Sequence, residues 1–392
     1  MAAGPHGIRT PILLVLVAVL ALAVPAYAAP APAPAAPAFV PWQTATDAPF
    51  AFWRFDGEYS LSTNKVYFLG GRLGDATSST DGSIWSFDPE TGVYADTGID
   101  MPVPVSNYEI ARLFDLLGNE YLVIFGGRNG AGTVVTTVQA YIPSANITGT
   151  FASDPYPVAT SPGAVAVVDN VAWVFGGFDA AVVLASTYVF DINAADGTRW
   201  SVGPDLSMAR SYIGEAVVDG VIYAIGGDDW DSQNQALLPQ TIVEKLDTHA
   251  AVPAWDDAGV ADLPLPCDEM RAFGFGAASP YDLANVVVVA GCGQWNGTPS
   301  ELANSLVYDV AANTWDDATF PDLNQARRNH AGAFVPWGAG SLGRPGLWVW
   351  GGRQAADTTI LFTPEFYPFT SAVIFMDGFE IGSTGSWSLR VP

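Results

Sequence analysis

Arginine is the residue whose placement first invites a chemical reading. Arg72, Arg128 and Arg353 each stand directly behind a glycine pair, as Gly70-Gly71-Arg72, Gly126-Gly127-Arg128 and Gly351-Gly352-Arg353. Arg210, Arg271 and the pair Arg327-Arg328 close a second kind of segment, in Met208-Ala-Arg210, Met270-Arg271 and Gln325-Ala-Arg327-Arg328. A planar guanidinium grips a carboxylate through two parallel hydrogen bonds, so arginines gathered on one face would hold an anionic ligand. The same arginines would equally serve to brace loops against aspartates of neighbouring units. Trp230 and Trp295 follow two further copies of the glycine motif. Exposed there, they would stack on a sugar ring or fill a partner's pocket; turned inward, they would cap the edge of a sheet.

Other chemistry is sparse. His249 and His330 are the imidazoles beyond the first 38 residues, and they fit no metal-ligand spacing. There is no Gly-x-Ser-x-Gly elbow and no phosphate loop, so nothing marks a catalytic nucleophile. Asp228-Asp229-Trp230-Asp231 lacks the spacing of a calcium loop and reads as a solvated acidic turn. Asn146-Ile147-Thr148 and Asn296-Gly297-Thr298 match the glycosylation pattern. Cys267 and Cys292 are the two cysteines of the chain, open to a disulfide or to two free thiols. No cofactor is expected.

The elements that position these residues come from a repeat. A short apolar run ending in two glycines appears at Val66–Gly71, Leu122–Gly127, Ala172–Gly177, Val221–Gly227 and Leu347–Gly352. A worn sixth copy, Val286–Gly291, reads as having lost its first glycine. The copies follow one another at roughly 50 to 65 residues, a period that belongs to repeat architectures. β-Branched and aromatic residues without helical spacing make the run a strand buried on both faces. Turn pairs such as Asp169-Asn170 and Asp219-Gly220 ahead of it make it the second strand of a hairpin. Behind each glycine pair come an aromatic–acid strand end (Phe190-Asp191, Tyr308-Asp309, Phe87-Asp88) and a second aromatic (Tyr94, Phe151, Trp200, Trp255, Trp315).

Four strands per unit and six units describe an all-β chain folded as a six-bladed β-propeller. The order of aromatics bears on how the ring closes. The sixth second aromatic is missing from the end of the chain, but Trp42-Gln-Thr-Ala-Thr-Asp-Ala-Pro49 matches Trp315-Asp-Asp-Ala-Thr-Phe-Pro321. The N-terminal segment is therefore expected to supply the outer strand of the last blade, with Ala372–Phe375 as the competitor. The strand alternation puts the loops behind the glycine pairs and the loops ending in arginine on one face. Cys267 and Cys292 then lie in the two loop types of one blade, able to meet there.

These landmarks, in order from Trp42 to Tyr367, resemble the kelch-repeat family. The departures are Tyr141-Ile-Pro, which lacks the acid, and the worn fifth pair; both blades are expected to be less regular. The resemblance implies a binding or interaction module whose ligand, protein or carbohydrate, sits on the arginine and tryptophan face. Exported six-bladed kelch proteins include sialic-acid mutarotases, so the resemblance also admits an enzyme acting on an acidic sugar. Arg210 or Arg271 with Glu215 or Glu269 would then be the places for the carboxylate and the acid–base group. Galactose oxidase carries kelch-like blades too, but its paired histidines and tyrosines have no counterpart here. His330, in Arg328-Asn329-His330-Ala331, stands where kelch repeats hold a structural histidine.

Composition bounds the partners. The 392 residues carry 15 basic and 40 acidic side chains, a formal charge of −25. Such a surface repels nucleic acid and anionic lipid. Hydrophobic residues make up 49%, which supports a large core. Arg9, the apolar run Ile12–Val24 and Ala26-Tyr27-Ala28 read as a signal peptide over Met1–Ala28, too short to serve as a membrane span. Ala29–Ala38 reads as an Ala/Pro linker, residues 39–375 as the propeller, and 376–392 as a tail. The stretch from Phe375 to Trp387 resembles a short C-terminal tail recurring on exported bacterial proteins. The chain is expected to be secreted, periplasmic or displayed at the cell surface.

Overall fold

The computed structural model describes Met1 and residues 39–231, 236–295, 298–336, 345–354 and 359–369. The signal peptide, the linker, the alternative closing strand Ala372–Phe375, the tail and Asn296 lie outside the described residues. Among the described residues no helix is long and apolar enough to cross a membrane; the one helical element is a single 3-10 turn, Thr77–Ser79.

Six antiparallel sheets of four strands form the chain into a six-bladed β-propeller. Five blades are continuous, spanning 57–100, 109–150, 161–202, 214–256 and 271–316. The sixth joins Ala331–Val335, Gly346–Trp350 and Glu365–Pro368 to Gln43–Thr44. First strands of successive blades pack side by side around the ring, and the first strand of blade one meets that of blade six. Second strands are buried on both faces, as Leu122, Val123, Ile124 and Phe125 illustrate at 1% exposure or less. The hairpin turns ahead of them adopt the geometry their residues favour. Asp169 and Asn170 take φ of 51° and 64°, and Asp219 and Gly220 take 48° and 84°, the double left-handed step of a type I′ turn. Blade two keeps all four strands without the usual acid, and the Tyr141 hydroxyl donates to Asn146 Oδ1 at 2.9 Å across its outer hairpin, as Tyr308 does to Asn313 in blade five.

The glycine pairs are where one blade meets the next. A Cβ on Gly126 would lie 2.5 Å from the Thr160 carbonyl oxygen, and one on Gly176 would lie 2.6 Å from that of Arg210. No side chain fits there. The next residue's N–H then donates to that same carbonyl: Gly127 to Thr160 at 2.9 Å, Gly177 to Arg210 at 2.8 Å, Gly227 to Cys267 at 2.9 Å. In blade five the residue donating this bond is Cys292, to Arg327 at 3.2 Å. The worn pair is therefore Gly291-Cys292. It has lost its second glycine, to cysteine, and not its first.

The ring closes through the N-terminal segment. Gln43 and Thr44 pair with Phe366 and Glu365. The outer-strand tryptophans of blades three, four and five donate their indole N–H to a carbonyl in the loop entering their own blade: Trp200 to Asp154, Trp255 to Pro204, Trp315 to Ala261. Trp42 does the same to Pro321 at 2.9 Å and is 2% exposed. It is the missing sixth aromatic. Joining the two ends of the chain in one blade leaves no open seam.

Candidate ligand site on the arginine face

Each blade hands its chain to the axis through one residue at the entrance to its first strand. In five blades that residue is left-handed: Arg54, Asn107, Tyr212, Glu269 and Asn329, with φ between 49° and 55°. A left-handed non-glycine residue costs roughly 1–2 kcal/mol. The return is a belt of hydrogen bonds around the axis. Asn107 N–H donates to the Arg54 carbonyl (2.9 Å), Arg54 to Asn329 (3.0 Å), Asn329 to Glu269 (3.0 Å) and Glu269 to Tyr212 (3.1 Å). Blade three places Pro162 at this position. Lacking an N–H, it interrupts the belt, and Ile213 donates to Gly163 instead.

These residues rim a cavity of about 40 Å³. Arg54 Nη1 and Asn107 Nδ2 both donate to the Tyr212 hydroxyl, at 2.6 and 2.7 Å. Glu269 is ion-paired with Arg328 and lies 3.9 Å from Arg54 Nη2. Burial alone would raise the Glu269 carboxyl, but Arg328 and Arg54 beside it hold it below the ordinary value, so it is ionised. Arg54 Nε, Asn107 Oδ1 and Glu269 Oε1 have no hydrogen-bond partner among the described residues. Buried polar atoms left so are costly, and here they surround one small space.

Beside the rim, the guanidiniums crowd one another. Trp53 is 3% exposed, and its ring lies 3.9 Å from the Arg353 guanidinium, 4.4 Å from Arg54 and 5.7 Å from Arg72. Burial, then the charges of Arg54, Arg128 and Arg353, push Arg72 down to about 10. This crescent covers blades six, one and two because those blades carry arginine behind the glycine pair. Blades three, four and five carry Phe178, Asp228 and Gly293 at that place. Asp228 touches Ser211, and burial lifts both Asp228 and Asp268 well above the carboxylate range. The face is cationic on one side and acidic on the other.

The arginines expected to share a site divide into three groups. Arg72 and Arg353 lie in the crescent, Arg328 pairs with Glu269 at its border, and Arg128 stacks 5.8 Å from the Phe178 ring. Arg210 does not join them. Its side chain is 0% exposed and pairs with Glu244 at 2.8 Å, as Arg327 pairs with Glu365 at 2.8 Å. Both tie an entering loop to the third strand of the same blade, so Arg210 is a brace out of a ligand's reach. Arg271 lines the cavity itself, 3.3 Å from Asp56 and donating to the His330 carbonyl at 2.7 Å. Burial raises Glu215 to about 8 and Glu109 well above its ordinary value, with Arg271 opposing both shifts.

The remaining candidates also separate. Trp230 lies 6.3 Å from Phe178 at the border of the crescent. Trp295 ends the second strand of blade five opposite Pro299, in another part of the face. Cys267 and Cys292 form a disulfide with Cα atoms 5.4 Å apart. Asp228–Asp231 is a strand and not a solvated turn, and the described residues hold no cluster fit for a metal ion. Asn146 spends its amide on the Thr97 carbonyl at 3.1 Å. His249 is an exposed partner of Asp169, and His330 is fully buried and kept neutral.

Trp53, Arg54, Asn107, Tyr212 and Asn329 are site residues that sequence reasoning missed. The available signal was register. Aligning Arg271 with Arg210 and Arg327 hides it, because the structural counterpart of those two is Cys267, four residues earlier. With that register, Ser211-Tyr212, Asp268-Glu269 and Arg328-Asn329 fall into line with Trp53-Arg54.

No protein-family model matches the chain. Among solved structures, that of YjhT is similar, with a TM-score of 0.61 and 16% sequence identity over 81% of this chain and 95% of that one. At that identity the likeness carries the fold alone.

Proposed function

We propose that this protein is an exported kelch-repeat propeller that binds a carboxylate-bearing ligand, an acidic carbohydrate, on the arginine face. The observation that carries this reading is the mutual crowding of Arg54, Arg72, Arg128 and Arg353. Like charges held together favour an anion; burial, then repulsion from Arg54, Arg128 and Arg353, brings Arg72 down to about 10. A 40 Å³ cavity takes about three waters, so a sugar ring stays outside it. The ligand would lie across the mouth with one small polar group inserted, its ring against Trp230 and Phe178. The six ordered repeats support the kelch assignment. Arg9, the short apolar run and Ala26-Tyr27-Ala28 support export, and the disulfide suits an oxidising compartment.

The test is titration of the whole protein at low salt with glucuronate, galacturonate and glucose. Binding of the acids but not of glucose, lost in Arg72→Ala and in Arg353→Ala, is the expected result. Equal binding of glucose, or none of the acids, overturns it.

One observation favours a second reading, an enzyme resembling the sialic-acid mutarotases. Glu215, raised to about 8, and the ionised Glu269 are a proton donor and a proton acceptor near Arg271 and the cavity. Saturation-transfer NMR on sialic acid would show anomeric exchange accelerated by the protein and abolished by Glu269→Gln. Exchange at the buffer rate leaves the binding module.

A further inference from the structure

Asp75 is an acid placed inside the cationic crescent. It sits in the loop behind Arg72 in blade one. That loop is tied down by its own backbone and by the site: Leu73 N–H donates to the Ser79 carbonyl at 3.2 Å, Gly74 N–H to Ser79 Oγ at 3.0 Å, and Trp53 Nε1 to the Gly74 carbonyl at 3.0 Å. The Asp75 carbonyl accepts from Arg72 Nη1 at 3.5 Å, and its carboxylate pairs with Arg353 Nη2. The two partners differ sharply in exposure, the Arg353 side chain at 4% and that of Asp75 at 74%.

That asymmetry decides how the pair behaves. An ion pair with one partner in water is weak, because solvent competes for the carboxylate and salt screens it. A carboxylate brought by a ligand into the mouth, away from water and gripped by two nitrogens, makes the stronger contact. It approaches the very guanidinium that Asp75 occupies, on the ring of Trp53 that Arg54 and Arg72 share. Taking the anion-binding reading above as given, we propose that Asp75 is an internal counter-anion which the ligand's carboxylate displaces from Arg353. Asp75 thereby sets the affinity of the site for an acid, which replaces one carboxylate by another. Asp75 also lowers the positive potential that draws the ligand in.

The sign of the expected effect is unusual for a residue at a binding site: removing the side chain strengthens binding. One negative charge withdrawn from the neighbourhood of a bound anion, at contact to second-neighbour distance in partly aqueous surroundings, tightens binding about three- to tenfold. The experiment is calorimetric titration of glucuronate, with glucose as the neutral control, into wild type, Asp75→Asn, Asp75→Ser and Asp75→Glu at low salt. Asp75→Asn and Asp75→Ser should bind glucuronate about three- to tenfold more tightly and with steeper salt dependence, Asp75→Glu as wild type does, and glucose should stay unbound throughout. Apart from the Asp75 carboxylate, the loop is anchored through its backbone groups and Ser79 Oγ, so the substitutions leave that anchor in place. Unchanged or weaker glucuronate binding in both Asn and Ser variants, with wild type binding, overturns the role of Asp75 and leaves the anion site standing. Failure of wild type and variants alike to bind glucuronate overturns both.

Discussion

Arg210 and Arg327 on one side, and Arg72 and Arg353 on the other, are the same residue recurring at repeat-locked positions a few residues from the same face. Their surroundings differ in one respect. Each brace arginine faces one carboxylate, Glu244 or Glu365, and neither partner of either pair is exposed. Those carboxylates also accept loop N–H groups, from Ser207 to Glu244 and from Asn324 and Gln325 to Glu365. Arg72 and Arg353 stand among other guanidiniums around the Trp53 ring, and the Asp75 carboxylate that pairs with Arg353 is 74% exposed. Recurrence with the repeat therefore says nothing about role; the balance of counter-charge does. The junction between the braces makes the same point with different chemistry. At the place of Arg210 and Arg327, blade five carries Cys267, and a disulfide to Cys292 does the fastening.

The largest effect should come from cutting a brace. Arg210→Ala leaves Glu244 buried without its partner, which costs about 3–5 kcal/mol, and Arg327→Ala should match it. Urea unfolding of the two variants measures this; a loss under about 1 kcal/mol would erase the distinction between brace and crescent. Replacing the whole pair, Arg210→Met with Glu244→Leu, should recover most of the loss, since an apolar pair of similar volume needs no desolvation. Next in size is the covalent brace. Cys267→Ala with Cys292→Ala opens a loop of 25 residues, worth roughly 2–4 kcal/mol in the chain-entropy account. The same unfolding experiment on that double variant ranks the two kinds of fastening directly.

How much of this was legible beforehand depends on what fixes each residue. Strand, turn and closing segment follow from residue types that answer to local geometry, and Trp42 could be matched to Trp315 because both answer the same carbonyl-capping need. The worn glycine pair was misread by one residue. The clash that demands glycine comes from a carbonyl in the next blade, and the letters Ala290-Gly291-Cys292 do not display it. Arg72, Arg128 and Arg353 were legible because the glycines locate them. Of the rim only Glu269 was, since Arg54, Asn107, Pro162, Tyr212, Glu269 and Asn329 share a place in the fold and no chemistry. What unites five of them is a backbone angle.

Arg271 stands between the two extremes, outnumbered where the braces are matched. Asp56, Glu109 and Glu215 all face this one guanidinium, and all three are raised by burial. For Glu215 the folded value is about 8 against an ordinary 4.5. Between those values the folded state holds a proton that the unfolded state has released. Its contribution is thus fully present below about pH 4.5 and is lost as pH rises through about 8. Stability should decline across that window, and Glu215→Gln, which mimics the protonated form, should flatten part of the decline. A profile unchanged in Glu215→Gln would mean that Arg271 neutralises these carboxylates after all, as Arg210 neutralises Glu244.

The smallest effect on stability, and the sharpest contrast, belongs to Arg72→Ala. The variant gives up the bond from Arg72 Nε to Ser106 Oγ, 3.0 Å long, and the packing of the side chain near Trp53. It also removes a positive charge from beside Arg54, Arg128 and Arg353, the neighbours that help push Arg72 down to about 10. The two terms oppose each other, the lost bond at about 1 kcal/mol and the relieved repulsion at a similar size for charges near the surface. Unfolding free energy should therefore stay within about 1 kcal/mol of wild type, and the gap should narrow at low salt, where repulsion is strongest. If Arg72→Ala instead unfolds as readily as Arg210→Ala, the crescent is a third set of braces. A stable variant that no longer takes up glucuronate shows the opposite, arginines gathered to hold a ligand's charge.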